Sequence, residues 1–325
     1  MSKLSTKYLG LELKSPVIAG SSGQTSSLEK IKEAENCGAG AIVLKSLFEE
    51  QIEHLIASSG GPHSYPEAED YMAYYIKANA VEDYLNLISA AKKSISIPII
   101  PSINCISAGS WIDYAKMFEN AGADALEINI FFLPVKGETT GSEIEKSYLQ
   151  IIEKLKSKVK VPIAVKIGFR FTNILNIIEL LYKRGVEGVV MFNRFYEPDI
   201  DIDKMAVVPA EVFSLPAERR YVLRWIAMAD ALDFKIDISA STGIHSGDDA
   251  IKYLLAGADT IQVCSALYKK GIGFIKEVNE RIISWMEKRG FNSINQFRGK
   301  LNYSAVGNPI LYERAQFMKF FSSHD

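Results

Sequence analysis

Short apolar segments recur along the whole chain and predict parallel β-strands. Each is a run of four or five residues, rich in β-branched side chains and mostly without alternating polar positions. Continuous runs of this kind are typical of parallel strands that are covered on both faces. The predicted strands are residues 16–19, 41–44, 97–100, 125–128, 162–165, 188–192, 234–238 and 260–263.

Segments with helical periodicity lie between these runs. Trp111, Tyr114 and Phe118 recur at spacings of three and four, which places them on one face of a helix. The segments 173–184 and 248–255 show the same pattern. Strands that alternate with helices indicate an α/β protein with a parallel sheet.

Glycines mark the junctions at which a predicted helix ends and a strand begins. Such a glycine supplies the left-handed backbone that ends a helix before a short loop. The four junction glycines are Gly38, Gly122, Gly185 and Gly257. With eight predicted strands, and no GxGxxG motif after the first of them, the pattern favours a (β/α)8 TIM barrel over an open dinucleotide-binding sheet.

Two stretches exceed what a simple barrel needs. Residues 49–80 follow the second strand and residues 194–216 follow the sixth, so we expect two rim insertions at the carboxyl ends of the strands. They are interpreted either as cover for a substrate or as structural or dimer-forming loops. We expect residues 1–325 to form a single barrel domain, with a helical extension over about 268–325.

Composition and charge indicate which kinds of binding partner to expect. The net charge of −2 and the pI near 6.2 offer no electrostatic reason to expect nucleic acid or an anionic membrane. The first seven residues lack the apolar region of a secretory signal, and no apolar run is long enough to span a bilayer. Cys37, Cys105 and Cys264 are far apart, which disfavours a disulfide framework or an iron–sulfur cluster. We therefore expect a cytoplasmic protein without membrane contact.

Polar residues gather at the predicted strand ends, which face a common site in a barrel. They comprise lysines, carboxamides and hydroxyls, without carboxylate or histidine. The set is Ser21, Ser22, Lys45, Ser46, Ser102, Asn104, Asn129, Lys166, Asn193, Ser241, Thr242, Gly243, Cys264 and Ser265.

This inventory points to an anionic heteroaromatic ligand. Divalent metals prefer carboxylate or imidazole ligands, so we expect no metal site. Carboxamides pair with ring N–H and C=O groups, and lysines neutralise negative charge. The loops after strands seven and eight often form a phosphate site in barrels, and Gly243 lets the backbone approach a ligand closely.

Lys45 and Lys166 each admit several interpretations. A lysine directly after an apolar strand can be a solvated rim residue, a Schiff-base nucleophile or a charge partner for a cofactor. The residues by themselves leave these alternatives open.

Short motifs at these strand ends resemble the class 1 dihydroorotate dehydrogenases and, more broadly, the FMN-binding barrels. The resemblance extends from Lys7 to about Lys270. The matching motifs are residues 8–17, 44–46, 126–129, 165–168, 192–193, 223–224, 241–244 and 262–267.

The resemblance implies FMN at the carboxyl end of the barrel. Ala19, Gly20 and Ser21 would line the flavin, with Lys45 and Ser46 near its ring. Lys166 would contact the N1/C2=O side, where positive charge stabilises the reduced flavin. Asn129 and Asn193 would bind a small planar substrate stacked on the flavin. The remaining implied cofactor contacts are Asn104, Asn129, Asn193, Ser241, Thr242, Gly243, Cys264 and Ser265.

Two departures from the family concern the reaction. The family carries Cys or Ser as the base in the loop after strand four, where Phe132 stands here. Phenylalanine cannot accept a proton, so the usual route to orotate loses its general base. The asparagine-rich substrate loop of the family is also missing, and residues 60–67 take its place.

Three functions remain open on this basis. The first is an FMN-dependent oxidoreductase of the dihydroorotate dehydrogenase type, with Lys45, Asn129 and Asn193 as its catalytic residues and a substrate that can differ from dihydroorotate. The second is a non-catalytic FMN-binding barrel, and the third is a Schiff-base lyase that uses Lys166. The resemblance implies a homodimer, while the electron acceptor is not indicated.

Overall fold

The computed structural model describes residues 3–49, 52, 68–109, 111–194 and 197–313, of which 68–80 are described by their backbone alone. Its strands are β1 (Thr6–Tyr8), β2 (Leu11–Leu13), β3 (Val17–Ala19), β4 (Ala41–Val43), β5 (Leu47–Phe48), β6 (Ile99–Ile100), β7 (Ser102–Cys105), β8 (Leu126–Ile130), β9 (Ile163–Ile167), β10 (Gly188–Met191), β11 (Pro198–Asp201), β12 (Ala206–Pro209), β13 (Asp237–Ser241) and β14 (Thr260–Val263).

The main sheet is parallel throughout and closes on itself. Its strand order is β5-β7-β8-β9-β10-β13-β14-β3-β4-β6. β4 and β5 are two parts of one barrel strand, as are β6 and β7. β4 pairs with β6 and β5 pairs with β7, so the second and third barrel strands lie side by side. The two ends of the strand order are therefore neighbours in space, and the sheet is closed. The predicted (β/α)8 barrel is confirmed.

Helices cover the outside of the barrel. They are α1 (Leu28–Asn36), α2 (Ala68–Ser94), α3 (Ile112–Asn120), α4 (Gly141–Lys158), α5 (Ile174–Tyr182), α6 (Arg219–Ala229), α7 (Gly247–Ala256), α8 (Ser265–Lys270) and α9 (Phe274–Arg289). All four junction glycines have positive φ, between +77° and +119°, as the sequence predicts.

The barrel interior is apolar at its amino-terminal end and polar at its carboxyl end. At the amino-terminal end, Tyr8 and Leu9 from the β1–β2 hairpin pack with Ile18, Val43 and Val190 in an apolar cluster inside the barrel. This cluster closes the bottom of the barrel. Toward the carboxyl ends the inward positions are polar, so any solvent-accessible chemistry is confined to that end.

Several strand boundaries differ from the prediction. The seventh barrel strand begins at Asp237 and not at Phe234. β8 and β9 extend farther than predicted, so that Asn129 and Lys166 lie within strands. Barrel pairing extends these two strands past their apolar runs, because backbone hydrogen bonds do not require apolar side chains.

The two predicted rim insertions differ in their structure. Residues 68–80, predicted as part of the first insertion, belong to α2. Residues 53–67, including the segment 60–67, lie outside the described residues. Within 194–216, β11 and β12 form an antiparallel hairpin.

The described part of the C-terminal extension packs against the barrel. Ile294 and Phe297 are fully buried, and Arg298 forms ion pairs with Asp230 at 2.8 Å and Asp259 at 2.6 Å. Residues 291–298 therefore contribute to the core and lie against the amino-terminal end of the strands.

Candidate functional site

A cavity of about 170 Å³ opens at the carboxyl end of the barrel. Its walls come from five barrel strands and from the loop between β12 and α6. The lining residues are Ser21, Lys166, Phe192, Asn193, Arg194, Val212, Ser214, Ser241, Thr242, Gly243, Ile244, Gln262, Cys264 and Ser265.

Most of the residues predicted from the strand ends line this cavity. They come from barrel strands one, five, six, seven and eight, so the topology brings together positions that are far apart in the chain. The predicted residues in the lining are Ser21, Lys166, Asn193, Ser241, Thr242, Gly243, Cys264 and Ser265.

Other predicted residues lie outside the lining. Ala19 is fully buried in the outer core, and Gly20 lies so close to Cys264 that an added Cβ would come within 2.4 Å of its Sγ. Lys45 is exposed to solvent, and Asn104 is half-buried on β7. A contact of these residues with a flavin stays a prediction.

Ser46 reaches the cavity wall through a chain of hydroxyl groups. Its Oγ lies 3.0 Å from Ser21 Oγ and 2.8 Å from Ser102 Oγ, and its backbone N–H donates to Ser21 Oγ. The chain links the first three barrel strands. It therefore fixes the orientation of the Ser21 hydroxyl at the cavity.

Asn129 does not line the cavity but contacts a residue that does. Asn193, which lines it, donates a hydrogen bond from Nδ2 to Asn129 Oδ1 at 2.8 Å. Asn104, Asn129 and Lys166 are register partners on three adjacent strands. These three residues therefore form one tier of polar side chains in the barrel.

Lys166 is a buried cation at the bottom of the cavity, with an exposed fraction of 6%. Its Nζ lies 3.9 Å from Oε1 of Glu127, which is 1% exposed. Gln262 donates from Nε2 to the other carboxylate oxygen, Oε2, at 2.5 Å. A buried charge is tolerated when it is paired and hydrogen-bonded, and this cluster meets that requirement only in part.

Two oxygens of this cluster lack hydrogen-bond partners among the described residues. They are Glu127 Oε1 and Gln262 Oε1. Unsatisfied buried polar atoms are rare in native proteins and call for an explanation. A polar group bound in the cavity lined by Lys166 and Gln262 would supply one.

The loop after the seventh barrel strand has an unusual backbone. Thr242 and Gly243 have φ values of +78° and +74°, and a Cβ on Gly243 would come within 2.4 Å of the backbone nitrogen of Arg219. Only glycine fits there. Tyr253 supports the loop by donating a hydrogen bond to the Thr242 carbonyl at 2.7 Å, and Ser246 caps α7.

A rim loop joins the predicted phosphate loops. The backbone N–H of Ser214 donates to Ser265 Oγ at 3.0 Å, and its hydroxyl lies 3.1 Å from His245 Nε2. Burial lowers the pKa of His245, and the nearby Lys269 adds to this effect. His245 is therefore held in its neutral form at pH 7.

The Cys264 thiol lies in the cavity wall and points toward the Ser21 carbonyl oxygen, at 3.8 Å. Burial raises its pKa, while the charge of Lys166 opposes that shift. The thiol is therefore protonated at neutral pH and is not an activated nucleophile.

Phe132 lies outside the cavity lining and packs on its neighbours at the rim. Its ring centroid is 5.4 Å from that of Tyr148, which in turn contacts Phe171 edge-on at 5.2 Å. Tyr148 donates a hydrogen bond to the Ile130 carbonyl at 3.0 Å. The loop after β8 is thus held by aromatic packing.

Sequence reasoning missed Glu127, Gln262, Arg194 and Ser214. Glu127 and Gln262 are polar residues inside apolar strands, and each precedes or follows another polar residue by two positions. That spacing of two could have identified them as inward-facing. Arg194 and Ser214 lie in rim segments that have no periodicity, and no sequence signal marks them.

Within the described ranges, no group of three or more His, Cys, Asp or Glu side chains could hold a metal ion. None of the helices in the same ranges is both long and apolar enough to cross a membrane.

Comparison with known proteins places the chain in a family. The family model for dihydroorotate dehydrogenase matches residues 3–286. The catalytic subunit of dihydroorotate dehydrogenase B (NAD(+)) from Thermoplasma volcanium is 28% identical over 308 residues, covering 92% of this chain and 98% of that protein. The corresponding subunit from Methanocaldococcus jannaschii is 29% identical, covering 88% and 94%. A putative dihydroorotate dehydrogenase A (fumarate) from Aeropyrum pernix is 24% identical, covering 91% and 97%. The chain belongs to the dihydroorotate dehydrogenase family, a family of oxidoreductases.

Proposed function

We propose that the protein is an FMN-dependent oxidoreductase that passes a hydride between a small planar substrate and flavin N5. The observation that carries this proposal is the buried Lys166 at the bottom of a cavity whose other walls include carboxamides, hydroxyls and a glycine-containing loop. The family names of its relatives support the same class of reaction.

The cavity residues fit FMN by their chemistry. FMN carries an anionic phosphate and a ring edge of alternating N–H and C=O groups. Lys166 and Asn193 are suited to the ring edge, while the backbone at Gly243 and Ser265 is suited to the phosphate. The unpartnered Oε1 of Gln262 is a ready acceptor for an N–H group beside them. When bound, FMN would supply the hydride chemistry.

The residues of this chain would then bind, orient and shield the reactants. Lys166 would offset the negative charge that develops on a reduced flavin. Asn193, held by Asn129, would orient polar groups of the substrate. Because the Lys166–Glu127 pair is almost completely buried, its charges are screened less than they would be in water.

We further propose that the substrate differs from dihydroorotate. By resemblance, Phe132 stands where the family has its proton acceptor, and its ring packs on Tyr148 outside the cavity lining. General bases contribute about 10²–10⁴-fold to such reactions, so a reaction that needs one would be slow here. The site would suit a substrate whose oxidation does not require a base at position 132 to remove a proton from carbon.

The first experiment is a visible absorption spectrum of the purified chain, before and after incubation with FMN. We expect flavin bands and tight binding. Anaerobic bleaching against a panel of dihydropyrimidines and related planar compounds then identifies the reductant. A colourless protein that cannot be reconstituted with FMN would refute the proposal.

A second candidate is a flavin-binding barrel without catalytic activity. The aromatic packing of Phe132 favours it, since a phenyl ring cannot accept a proton at that position. The two candidates differ in one result. The oxidoreductase is bleached by at least one compound of the panel, whereas the non-catalytic barrel binds FMN and is bleached by none.

Assembly and location belong to the proposal as well. We propose a cytoplasmic homodimer, by analogy with the family. Relatives named for NAD(+) and for fumarate suggest these two electron acceptors as the first to test. Light scattering of the purified protein gives its mass in solution, and steady-state assays with each acceptor determine which one reoxidises the flavin.

A further inference from the structure

A buried carboxylate lies beneath the cavity at a position that sequence reasoning did not select. Glu127 is on β8, two residues before Asn129, and its side chain points into the barrel between Lys166 and Gln262. It is not in the cavity lining. Any effect it has on a ligand therefore passes through the residues it contacts.

The electrostatics of the pair favour a functional role over a stabilising one. Lys166 and Glu127 are 6% and 1% exposed, so both charges have lost nearly all their hydration. Such pairs commonly contribute little net stability, because the cost of desolvation offsets their attraction. Removing one partner, however, leaves the other as an uncompensated buried charge, which the interior disfavours.

The other neighbours of the pair do not replace the carboxylate. Gln262 is uncharged and already donates to Glu127. Among described residues, the titratable groups coupled to the pair are Cys264, Tyr8 and Tyr84. Burial raises the pKa of each, so all three are neutral at pH 7. Glu127 is thus the anion that balances Lys166.

We propose that Glu127 is a positioning residue that balances the charge of Lys166 and keeps its side chain directed at the ligand in the cavity. Gln262 holds the carboxylate in place by its hydrogen bond. This inference rests on the proposed function, since the ligand toward which Lys166 is directed is FMN. In the assembled site, the positive charge beside the flavin depends on Glu127 although Glu127 does not touch the flavin.

Sulfite provides a readout that does not depend on the unknown substrate. It adds to flavin N5 and leaves a negative charge on the N1/C2=O side of the ring, so its affinity reports positive charge at that position. The experiment compares the sulfite dissociation constants of the FMN-loaded wild type and of the Glu127→Gln, Lys166→Met and double variants. Circular dichroism monitors folding.

We expect Glu127→Gln to weaken sulfite binding by about tenfold or more, and Lys166→Met to weaken it at least as much. The double variant should bind sulfite no more weakly than Lys166→Met, because Glu127 acts through the lysine and the double variant leaves no unpaired buried charge. The matched control is Ser239→Ala, which alters another buried inward-facing residue without changing charge. It should leave the sulfite affinity unchanged.

Two results would overturn the inference while leaving the proposed function intact. They are an unchanged sulfite affinity in Glu127→Gln, and effects of the two substitutions that add in the double variant. A wild type that takes up no FMN refutes the proposed function and this inference together. If Glu127→Gln does not fold, Gln262→Met removes the hydrogen bond to Glu127 and should weaken sulfite binding in the same direction, and an unchanged affinity there overturns the inference.

Discussion

Asn193 Nδ2 donates a 2.8 Å hydrogen bond to Asn129 Oδ1 and so joins two strands of the barrel that are separated by a third. Asn129 lies on β8 and Asn193 follows β10, while Lys166 lies on the strand between them. The bond fixes the orientation of the Asn129 carboxamide, because its oxygen must face Asn193. It also leaves the Asn193 oxygen available to the cavity.

This bond should be measurable as a coupling in stability. Asn193→Ala leaves the Asn129 oxygen without its donor, and we expect a loss of about 1–3 kcal/mol in the free energy of unfolding. Asn129→Ala should cost a similar amount, and the double variant less than the sum by about 1 kcal/mol. Urea denaturation of the four proteins checks this, and additive losses would contradict the bond.

Glu49 should be a strong determinant of stability at the rim. Its carboxylate is 3% exposed and accepts hydrogen bonds from the backbone N–H groups of Ile106 at 2.7 Å and Ser107 at 2.9 Å, and from the Ser107 hydroxyl. Glu49→Ala removes the acceptor for all three, so we expect about 2–3 kcal/mol of destabilisation. Glu49→Gln keeps one acceptor oxygen and should cost less. Chemical denaturation ranks the two, and equal losses would argue against the contact.

Stability should depend on pH through Asp259. Burial raises the pKa of its carboxyl to about 6 from an ordinary 3.8, although Arg298 and the Ile238 amide oppose the shift and Asp237 adds to it. The raised pKa means that the folded state binds the proton more tightly. The resulting stabilisation is complete below about pH 3.8 and is lost as pH rises through 6.

Asp259→Asn removes this dependence. The difference in unfolding free energy between wild type and variant should therefore fall by up to about 3 kcal/mol from pH 4 to pH 7. Urea titrations at several pH values measure it, with the exposed Asp233→Asn as the control. Parallel profiles for wild type and Asp259→Asn would contradict the prediction.

Phe132 provides a test of the reaction. If the missing base is what prevents dihydroorotate oxidation, Phe132→Cys should speed anaerobic flavin reduction by dihydroorotate about 10–100-fold. Phe132→Ala is the matched control, because it vacates the same space beside Tyr148 without adding a proton acceptor. Stopped-flow absorbance measures both rates. Equal rates in the two variants would show that the base is not the limiting factor.

Local sequence patterns were enough to predict the barrel architecture and to select several residues that line the cavity. Continuous apolar runs identified the barrel strands, and the junction glycines, all of which have positive φ, identified the turns. These signals are local, since strand covering and left-handed turns depend on a few neighbouring residues. The same reasoning selected Lys166 and Asn193, because strand ends in a parallel barrel meet at one site.

Which of these groups are in contact depends on the tertiary structure. Gln262 and Glu127 are 135 positions apart, and their hydrogen bond follows from barrel closure and strand register. The contact of Ser214 with Ser265 likewise depends on how a rim loop folds back. A period of two indicates that a residue faces inward, but it does not indicate which residue lies opposite. That information resides in the closed sheet, which places a buried anion under Lys166.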